Sequence, residues 1–306
     1  MRLDTQRHAD VAVAMRSPPQ LPSLNCSADP LPAGRIVGPE DGASPSHSIP
    51  PHLLDHCTRM TRSAHSIPVP HVQQRHNWDC GLACVLMALQ MFGITSYDLH
   101  RLQELCCTKS IWTIDLAHLL RFFGMDVTFL TITIGANPEY ASESFYREHI
   151  EEDEQRVARL FRAAPSKGVQ LHQCSLNAQQ LQAIVLSGVF IPILLVDKRK
   201  LTPARPLPAL CGASVGSYPA RGYTGHYIVI CGLDAVTQEY AICDPAAAAS
   251  RTTVSSAAME AARQSFGTDE DILLVSRESY HCCGAPVQLW KEGRCRCGGS
   301  EQKRVV

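Results

Sequence analysis

Several features of membrane, secreted and nucleic-acid-binding proteins are missing from this sequence. No apolar run approaches the roughly 20 residues that span a bilayer, and the longest, over residues 189–196, has the length of a strand. Residues 1–20 lack the apolar core of a secretory signal. Lys and Arg number 28 against 29 Asp and Glu, which leaves no cationic surplus for binding phosphate. The sequence therefore predicts a cytoplasmic protein, or one that is also nuclear, with no membrane or nucleic-acid partner.

Cysteine, by contrast, is abundant, with 14 residues. Several, such as Cys84 and Cys231, lie in apolar patterns, where cysteine behaves as a small hydrophobic residue. Without a secretory signal, this pattern favours reduced thiols over a disulfide framework. The cysteines after residue 280 lack the C-x2–4-C spacing of a zinc site, so the sequence predicts no bound metal or other cofactor.

Composition divides the chain into three parts. Residues 1–66 are rich in Pro and Ser and lack periodicity, so they bury too little apolar surface to offset their ordering entropy, and we expect a disordered extension. Residues 67–279 carry helical and strand patterns, which predict one domain. Residues 280–306 form a polar, Cys-rich tail. A Pro- and Gly-rich stretch over residues 198–222 interrupts the domain as an insertion.

Helical patterns come first in this domain and strand patterns follow. Apolar spacing at helical period predicts helices at residues 81–92, 96–106, 113–123, 137–163, 177–187 and 257–266. Alternating or continuous β-branched and apolar runs predict strands at residues 126–134, 169–174, 189–196, 226–233, 239–244 and 271–276. This order predicts an α+β fold in which N-terminal helices pack on a mostly antiparallel sheet.

A cysteine at the start of the first predicted helix has the setting of a nucleophile. The sulfur of Cys80 would face the unpaired N–H groups and the positive dipole end of that helix, which favour a thiolate. Gly81 would leave room beside the sulfur for a substrate carbonyl. Gln74 lies six residues upstream, where its amide and the backbone N–H of Cys80 would together form an oxyanion hole.

A base and a group that orients it are placed by two later strands. His226 opens one predicted strand and Asp244 ends the next. Antiparallel neighbours joined by a short turn bring these two ends together, so Asp244 would hold the His226 ring while His226 activates Cys80. The spacing predicts a Cys-His-Asp triad with a Gln oxyanion donor. Such a site is typical of a thiol hydrolase that acts on a peptide or amide bond.

Two resemblances follow from these motifs. Q-x5-C-G with a later GHY and DPA resembles the papain-like cysteine peptidase superfamily, and is most similar to the bacteriocin-processing peptidase domain of ABC exporters. This implies a papain-like fold and a peptide or protein segment as substrate. The segments WDCGLAC, SIWTIDLA, SFYREH and GTDEDILLV also resemble the guanylyl cyclase domain-containing protein family. That name implies a different activity, conversion of GTP to cyclic GMP with Mg²⁺ or Mn²⁺.

The cyclase alternative requires carboxylates that hold metal ions. The candidates are Asp115, Asp269, Glu270 and Asp271. Residues 267–271, however, are typical of a turn leading into an edge strand, and the sequence contains no Gly-rich phosphate-binding loop. The residues thus favour thiol chemistry. A guanylyl cyclase, or a non-catalytic adaptor that keeps the fold, remains an alternative.

Overall fold

The folded part of the chain is seen in a computed structural model. It describes residues 49–51, 53, 55, 62–137, 139–140, 150–202 and 223–277. The tail at 280–306, most of the extension at 1–66, most of the insertion at 198–222 and the SFYREH motif lie outside the described residues. No helix within the described ranges is long and apolar enough to cross a membrane.

Helices and strands are interspersed along the described chain, with three successive helices near its start and four successive strands near its end. In order they are β1 (Ala64–Ser66), α1 (Cys80–Met91), α2 (Leu99–Cys106), α3 (Thr113–Phe122), β2 (Val127–Thr131), α4 (Ile150–Ala163), β3 (Gln170–Gln173), α5 (Ala178–Ser187), β4 (Phe190–Asp197), β5 (Gly225–Asp234), β6 (Glu239–Cys243), β7 (Thr252–Ser255), α6 (Ser256–Arg263) and β8 (Ile272–Ser276). Packed structure begins before the expected boundary at residue 67, because β1 pairs with β5. Ile49 and Leu53 are also buried in the core.

The strands form one sheet in the order β3-β2-β8-β4-β5-β6-β7, with β1 added to β5. Among the described pairs, β2 and β3 are parallel and the others are antiparallel. The prediction of a mixed α and β fold with a mostly antiparallel sheet is confirmed. The prediction that β8 is an edge strand is wrong, since β8 lies between β2 and β4 and its apolar residues are buried.

Helices cover both faces of this sheet. One apolar cluster joins α1, α2, α3 and α4 to one face, and a second joins α5 and α6 to the other. Strands β2 and β4 are therefore buried along their whole length, which is why β4 has a continuous apolar run. Burial on both faces also corrects the expectation that β2 alternates between a core face and a solvent face.

Helix α1 lies at the centre of the first cluster. Every residue from Cys80 to Leu89 is buried, whereas the sequence predicted a single apolar face. The helix after it begins at a different residue than expected. Asp98, rather than Ser96, caps α2 by accepting a hydrogen bond from the Arg101 N–H at 2.9 Å. Asn177 caps α5 as predicted, accepting from the Gln180 N–H at 2.9 Å.

Candidate active site

Cys80 is the first residue of α1, and a folded loop leads into it. The carboxylate of Asp79 accepts hydrogen bonds from the backbone N–H of Arg75 at 3.2 Å and of His76 at 2.9 Å. Asp79 thus fixes the loop before the thiol. Gly81 serves close packing more than substrate access, because a Cβ there would lie 2.8 Å from a methyl carbon of Leu116, closer than atoms in a packed core approach.

His226 and Asp244 meet as the strand pattern predicts. His226 is the second residue of β5, and Asp244 directly follows β6. In the antiparallel pairing of the two strands, Val229 lies opposite Cys243. The Nε2–H of His226 donates a hydrogen bond to Oδ1 of Asp244 at 2.6 Å. Both side chains are largely buried, with exposed fractions of 4% and 16%.

His226 and Asp244 each stabilise the charged form of the other. Burial alone would lower the pKa of His226, but hydrogen bonds and charge interactions with Asp244 and Cys80 raise it to about 9. Burial would likewise raise the pKa of Asp244, but the His226 hydrogen bond and charge bring it below the ordinary value. The structure therefore joins His226 to Asp244 by a hydrogen bond, places Cys80 close enough to shift the His226 pKa, and favours an imidazolium at neutral pH.

Further hydrogen bonds fix Asp244 in place. The backbone N–H of Ala246 donates to its Oδ1 at 2.8 Å, and Nε2–H of His71 donates to its carbonyl oxygen at 2.9 Å. The backbone N–H of Gln74 donates to the carbonyl of Pro245 at 2.9 Å. The segment that leads into the thiol is thereby fastened to the loop that carries the carboxylate. The His71 contact with Asp244 was not predicted, because it joins residues 173 positions apart that no local pattern relates.

The side chain of Gln74 lies elsewhere than the sequence predicts. Its amide nitrogen donates to the backbone carbonyl of His76 at 2.6 Å. Its Oε1 is buried and has no hydrogen-bond partner among the described residues. Within the described chain, Gln74 is not among the residues that line the cavity beside the thiol. The Gln74 backbone is therefore fastened beside Asp244, and its side-chain amide makes a local hydrogen bond to the His76 carbonyl.

A cavity of about 350 Å³ opens beside Cys80. Its walls include the rings of Trp78, Trp112 and Tyr227. The Tyr227 hydroxyl is hydrogen-bonded to the Thr113 hydroxyl at 2.9 Å. Lys109 lies at its edge, with its ammonium nitrogen 6.0 Å from the centre of the Trp78 ring. The volume is at the small end of the range for small-molecule sites.

Two carboxyl groups, Asp269 and Asp271, also line this cavity. Sequence reasoning assigned both to a simple turn. Asp269 and Glu270 do form that turn, with φ values of 49° and 50°, a left-handed conformation in which non-glycine residues are uncommon. The turn buries both aspartates, each with 8% of its surface exposed. The available signal was the pair of aspartates, two positions apart, directly before a buried strand.

Burial is the largest influence on the pKa values of Asp269 and Asp271. It raises the pKa of Asp269, against hydrogen bonds from Thr133 and Tyr140. It raises the pKa of Asp271 well above the ordinary value, and the neighbouring charge of Asp269 raises it further.

The other cyclase candidates lie apart from this pair. Glu270 accepts a hydrogen bond from the Ser175 hydroxyl at 2.6 Å and pairs with Arg263 at 3.2 Å. Asp115 is buried and pairs with Arg156 at 2.5 Å, which ties α3 to α4. The four predicted carboxylates therefore do not converge. In the part of the chain that the structure describes, no three His, Cys, Asp or Glu side chains are arranged to hold a metal ion.

Comparison with known proteins places this site inside the span matched by a family model. The model described as guanylylate cyclase matches residues 69–275, a span that contains Cys80, His226, Asp244 and both cavity aspartates. The chain belongs to this family. A family relative from Arabidopsis thaliana, named Guanylyl cyclase 1, is 46% identical over 217 residues, which are 71% of this chain and 78% of the relative.

Proposed function

We propose that this protein is a thiol hydrolase that cleaves a peptide or amide bond, with Cys80 as nucleophile, His226 as acid and base, and Asp244 as the group that orients His226. The observation that carries the proposal is the contact of His226 with both Cys80 and Asp244 at the start of a buried helix. An imidazolium beside a thiol favours the thiolate, which is the reactive form.

The reaction is an acyl transfer through the sulfur. The Cys80 thiolate attacks the carbonyl carbon, and the bond to the leaving amine breaks as His226 gives that nitrogen its proton. Water, deprotonated by His226, then cleaves the thioester and restores the thiol. The backbone N–H of Cys80 is one of the N–H groups at the start of α1 without an intrahelical partner, and it would stabilise the oxyanion. The Gln74 amide would need to turn away from the His76 carbonyl to take part.

The papain-like fold and a peptide substrate belong to the same proposal. What supports them is a nucleophile on a buried helix, an acid-base pair on an antiparallel sheet, and the cavity between the two. A peptide or protein segment lying across that cavity would place its carbonyl at the sulfur.

Thiol labelling tests this proposal directly. Substoichiometric iodoacetamide at pH 6, followed by peptide mapping, should label Cys80 ahead of the other cysteines, because thiols with an ordinary pKa near 8.5 are then mostly protonated. Labelling should fall about 100-fold in His226→Ala, since the thiolate loses its counter-charge. The matched control is His100→Ala, an exposed histidine on α2. If the label spreads over other cysteines and spares Cys80, the protein is no thiol hydrolase, and a non-catalytic adaptor becomes the better explanation.

A second candidate function is guanylyl cyclase activity, favoured by the family description and by the name of the plant relative. The described residues do not fit the two metal ions that such chemistry uses. The Asp269 carboxylate already accepts from the Tyr140 hydroxyl at 2.5 Å, while Asp115 and Glu270 are held in other ion pairs. We therefore derive no step through a metal. Cyclic GMP formation from GTP with Mn²⁺ that persists in Cys80→Ala would favour the cyclase.

A further inference from the structure

The two carboxyls of the cavity lie beside the thiol site but take no part in it. Asp271 directly precedes β8, and its carbonyl accepts from the Leu195 N–H at 3.1 Å. Leu195 in turn pairs with Tyr227 of β5, the neighbour of His226. Asp271 and Tyr227 are therefore two strand spacings apart, about 10 Å. A group bound at Asp271 would lie within one side chain's reach of the reacting sulfur.

The charges of this acid pair are not balanced by the described part of the chain. The groups that shift the pKa of Asp271 are Asp269, which raises it, and the hydroxyls of Thr113 and Thr131, which lower it, in addition to burial. None of these groups is cationic, and Lys109 is not among those that act on either aspartate. Asp271 Oδ1 is buried without a hydrogen-bond partner among the described residues. A carboxyl kept in this state is costly unless something binds it.

We propose that this cavity binds the basic side chain of a substrate residue, with the ammonium or guanidinium of a Lys or Arg held by Asp269 and Asp271 and its methylene stem lying against the aromatic walls. The inference rests on the proposed hydrolase function, since it assigns the substrate class of that same site. The cation would supply the counter-charge that the pair lacks, and its hydrogen bonds would satisfy the Asp271 carboxyl.

The cavity walls suit such a side chain. Trp78, Trp112 and Tyr227 offer apolar ring faces, along which a Lys or Arg stem packs while its charged end reaches a polar partner. The ammonium of Lys109, at the edge of the cavity, lies 6.0 Å from the centre of the Trp78 ring, as expected of a cation over an indole.

A divalent metal fits the same carboxyls less well. Mg²⁺ requires six oxygen ligands in near-octahedral geometry. Asp269 is engaged by Tyr140, and Asp271 interacts with two threonine hydroxyls, which leaves few free oxygens. An ammonium needs only two or three acceptors, and the cavity provides them.

Equilibrium binding tests the inference without relying on catalysis. We would titrate the full chain carrying Cys80→Ala with Nα-acetyl-lysine amide and with its norleucine analogue, which lacks the charge, and measure affinity by calorimetry. The lysine compound should bind at least ~10-fold more tightly, equivalent to one charge-assisted hydrogen bond. Asp271→Asn added to this chain should remove the preference. Glu154→Gln, which neutralises an exposed carboxylate on α4, should keep it.

Two results would overturn the inference. One is equal affinity for the lysine and norleucine compounds, a comparison that needs no variant at the aspartates. The other is saturable binding of Mn²⁺ alone that Asp271→Asn abolishes, with no lysine binding, which would make the pair a metal site.

A kinetic experiment separates this inference from the hydrolase proposal. Chloromethyl ketones of acetyl-lysine and acetyl-norleucine would be compared by their rates of Cys80 alkylation in the wild-type chain. A lysine preference of at least ~10-fold supports both ideas. Lysine-selective binding without alkylation of Cys80 would defeat the hydrolase and leave a cation site. Rapid alkylation by both compounds at equal rates would keep the hydrolase and defeat the basic-side-chain pocket.

Discussion

Asp244 and Asp271 are two largely buried carboxyls at the ends of strands β6 and β8, and their pKa values shift in opposite directions. For both, burial pushes the pKa upward. Asp244 ends below the ordinary value because His226 donates to it at 2.6 Å. Asp271 ends well above it because burial is not offset by a cation from the described chain and the neighbouring carboxylate, Asp269, raises the pKa further. Burial raises the pKa of both carboxyls, and only at Asp244 does a hydrogen-bonded partner outweigh it.

The comparison separates two roles in one site. Asp244 is held by three hydrogen-bond partners, namely His226, the backbone N–H of Ala246 and the ring of His71. Asp271 has an oxygen without a partner among the described residues, which a bound cation would satisfy. Proteins commonly keep an unsatisfied group of this kind where they bind a ligand, at the expense of stability. The following predictions test that contrast through stability as well as reactivity.

The largest effect should be the pH dependence that His226 gives to folding. Its pKa is raised to about 9 in the folded protein, from about 6.5 in the unfolded chain. Its contribution is therefore fully present below pH 6.5 and is lost as pH rises through 9, up to about 3 kcal/mol. Urea unfolding from pH 6 to 9.5 should show this loss in the wild type and a flatter profile in His226→Gln. Parallel profiles for the two proteins would contradict the raised pKa.

Asp244→Asn should destabilise the fold by about 2 kcal/mol at pH 7, because His226 loses its counter-charge in a buried site. The pKa of Asp244 is lowered in the folded protein, so its contribution is present at neutral pH and disappears as pH falls through that lowered value. Chemical denaturation at pH 7 and pH 3 measures both. Glu239→Gln, which neutralises a carboxylate at the other end of β6, is the control, and an equal loss there would show a general charge effect.

The difference between the two aspartates also explains what the sequence could predict. His226 and Asp244 follow from strand patterns and a short connection, both of which are local. The sequence also predicts that His226 and Asp244 lie near Cys80, because the patterns place Cys80 at a helix N-terminus and His226 at a strand start. The continuous apolar run of β4 similarly predicted a buried strand.

Long-range geometry accounts for the remainder. The position of β8 in the middle of the sheet depends on its pairing with β2 and β4, which no local pattern encodes. The turn at Asp269 uses left-handed backbone at non-glycine residues, against local preference. The Gln74 side chain hydrogen-bonds to a backbone carbonyl two residues away. Asp79 folds the loop between Gln74 and the helix N-terminus, and no local pattern predicts this fold.

Asp271→Asn should stabilise the protein by about 1 kcal/mol at pH 7, the opposite sign to Asp244→Asn. The pKa of Asp271 is raised in the folded protein, so the folded state is penalised as pH rises from the unfolded value near 3.9 through the raised one. The amide has no charge to bury and avoids that penalty. Thermal unfolding should give a higher Tm for the variant at pH 7 and similar values for both proteins at pH 3. A lower Tm at pH 7 would indicate that the carboxylate has a cationic partner in the chain.

The smallest effect should come from His71, which acts on the site through Asp244. Its Nε2–H donates to the Asp244 carbonyl at 2.9 Å, a hydrogen bond whose net contribution is about 1 kcal/mol. In His71→Ala, we expect Asp244 to hold His226 less firmly and iodoacetamide labelling of Cys80 at pH 6 to fall about 3-fold to 5-fold, which corresponds to that energy.

Variants of His71 distinguish a role in positioning Asp244 from a simple loss of stability. His71→Gln keeps a side-chain N–H of similar reach and should restore most of the Cys80 labelling, whereas His71→Ala should not. His100→Ala on the surface of α2 is the control, because its side chain is exposed and pairs only with Glu104 among the described residues. Equal labelling of the His71 variants and the wild type would show that the Ala246 and His226 bonds alone fix Asp244, and that the His71 contact serves only to fasten the loop.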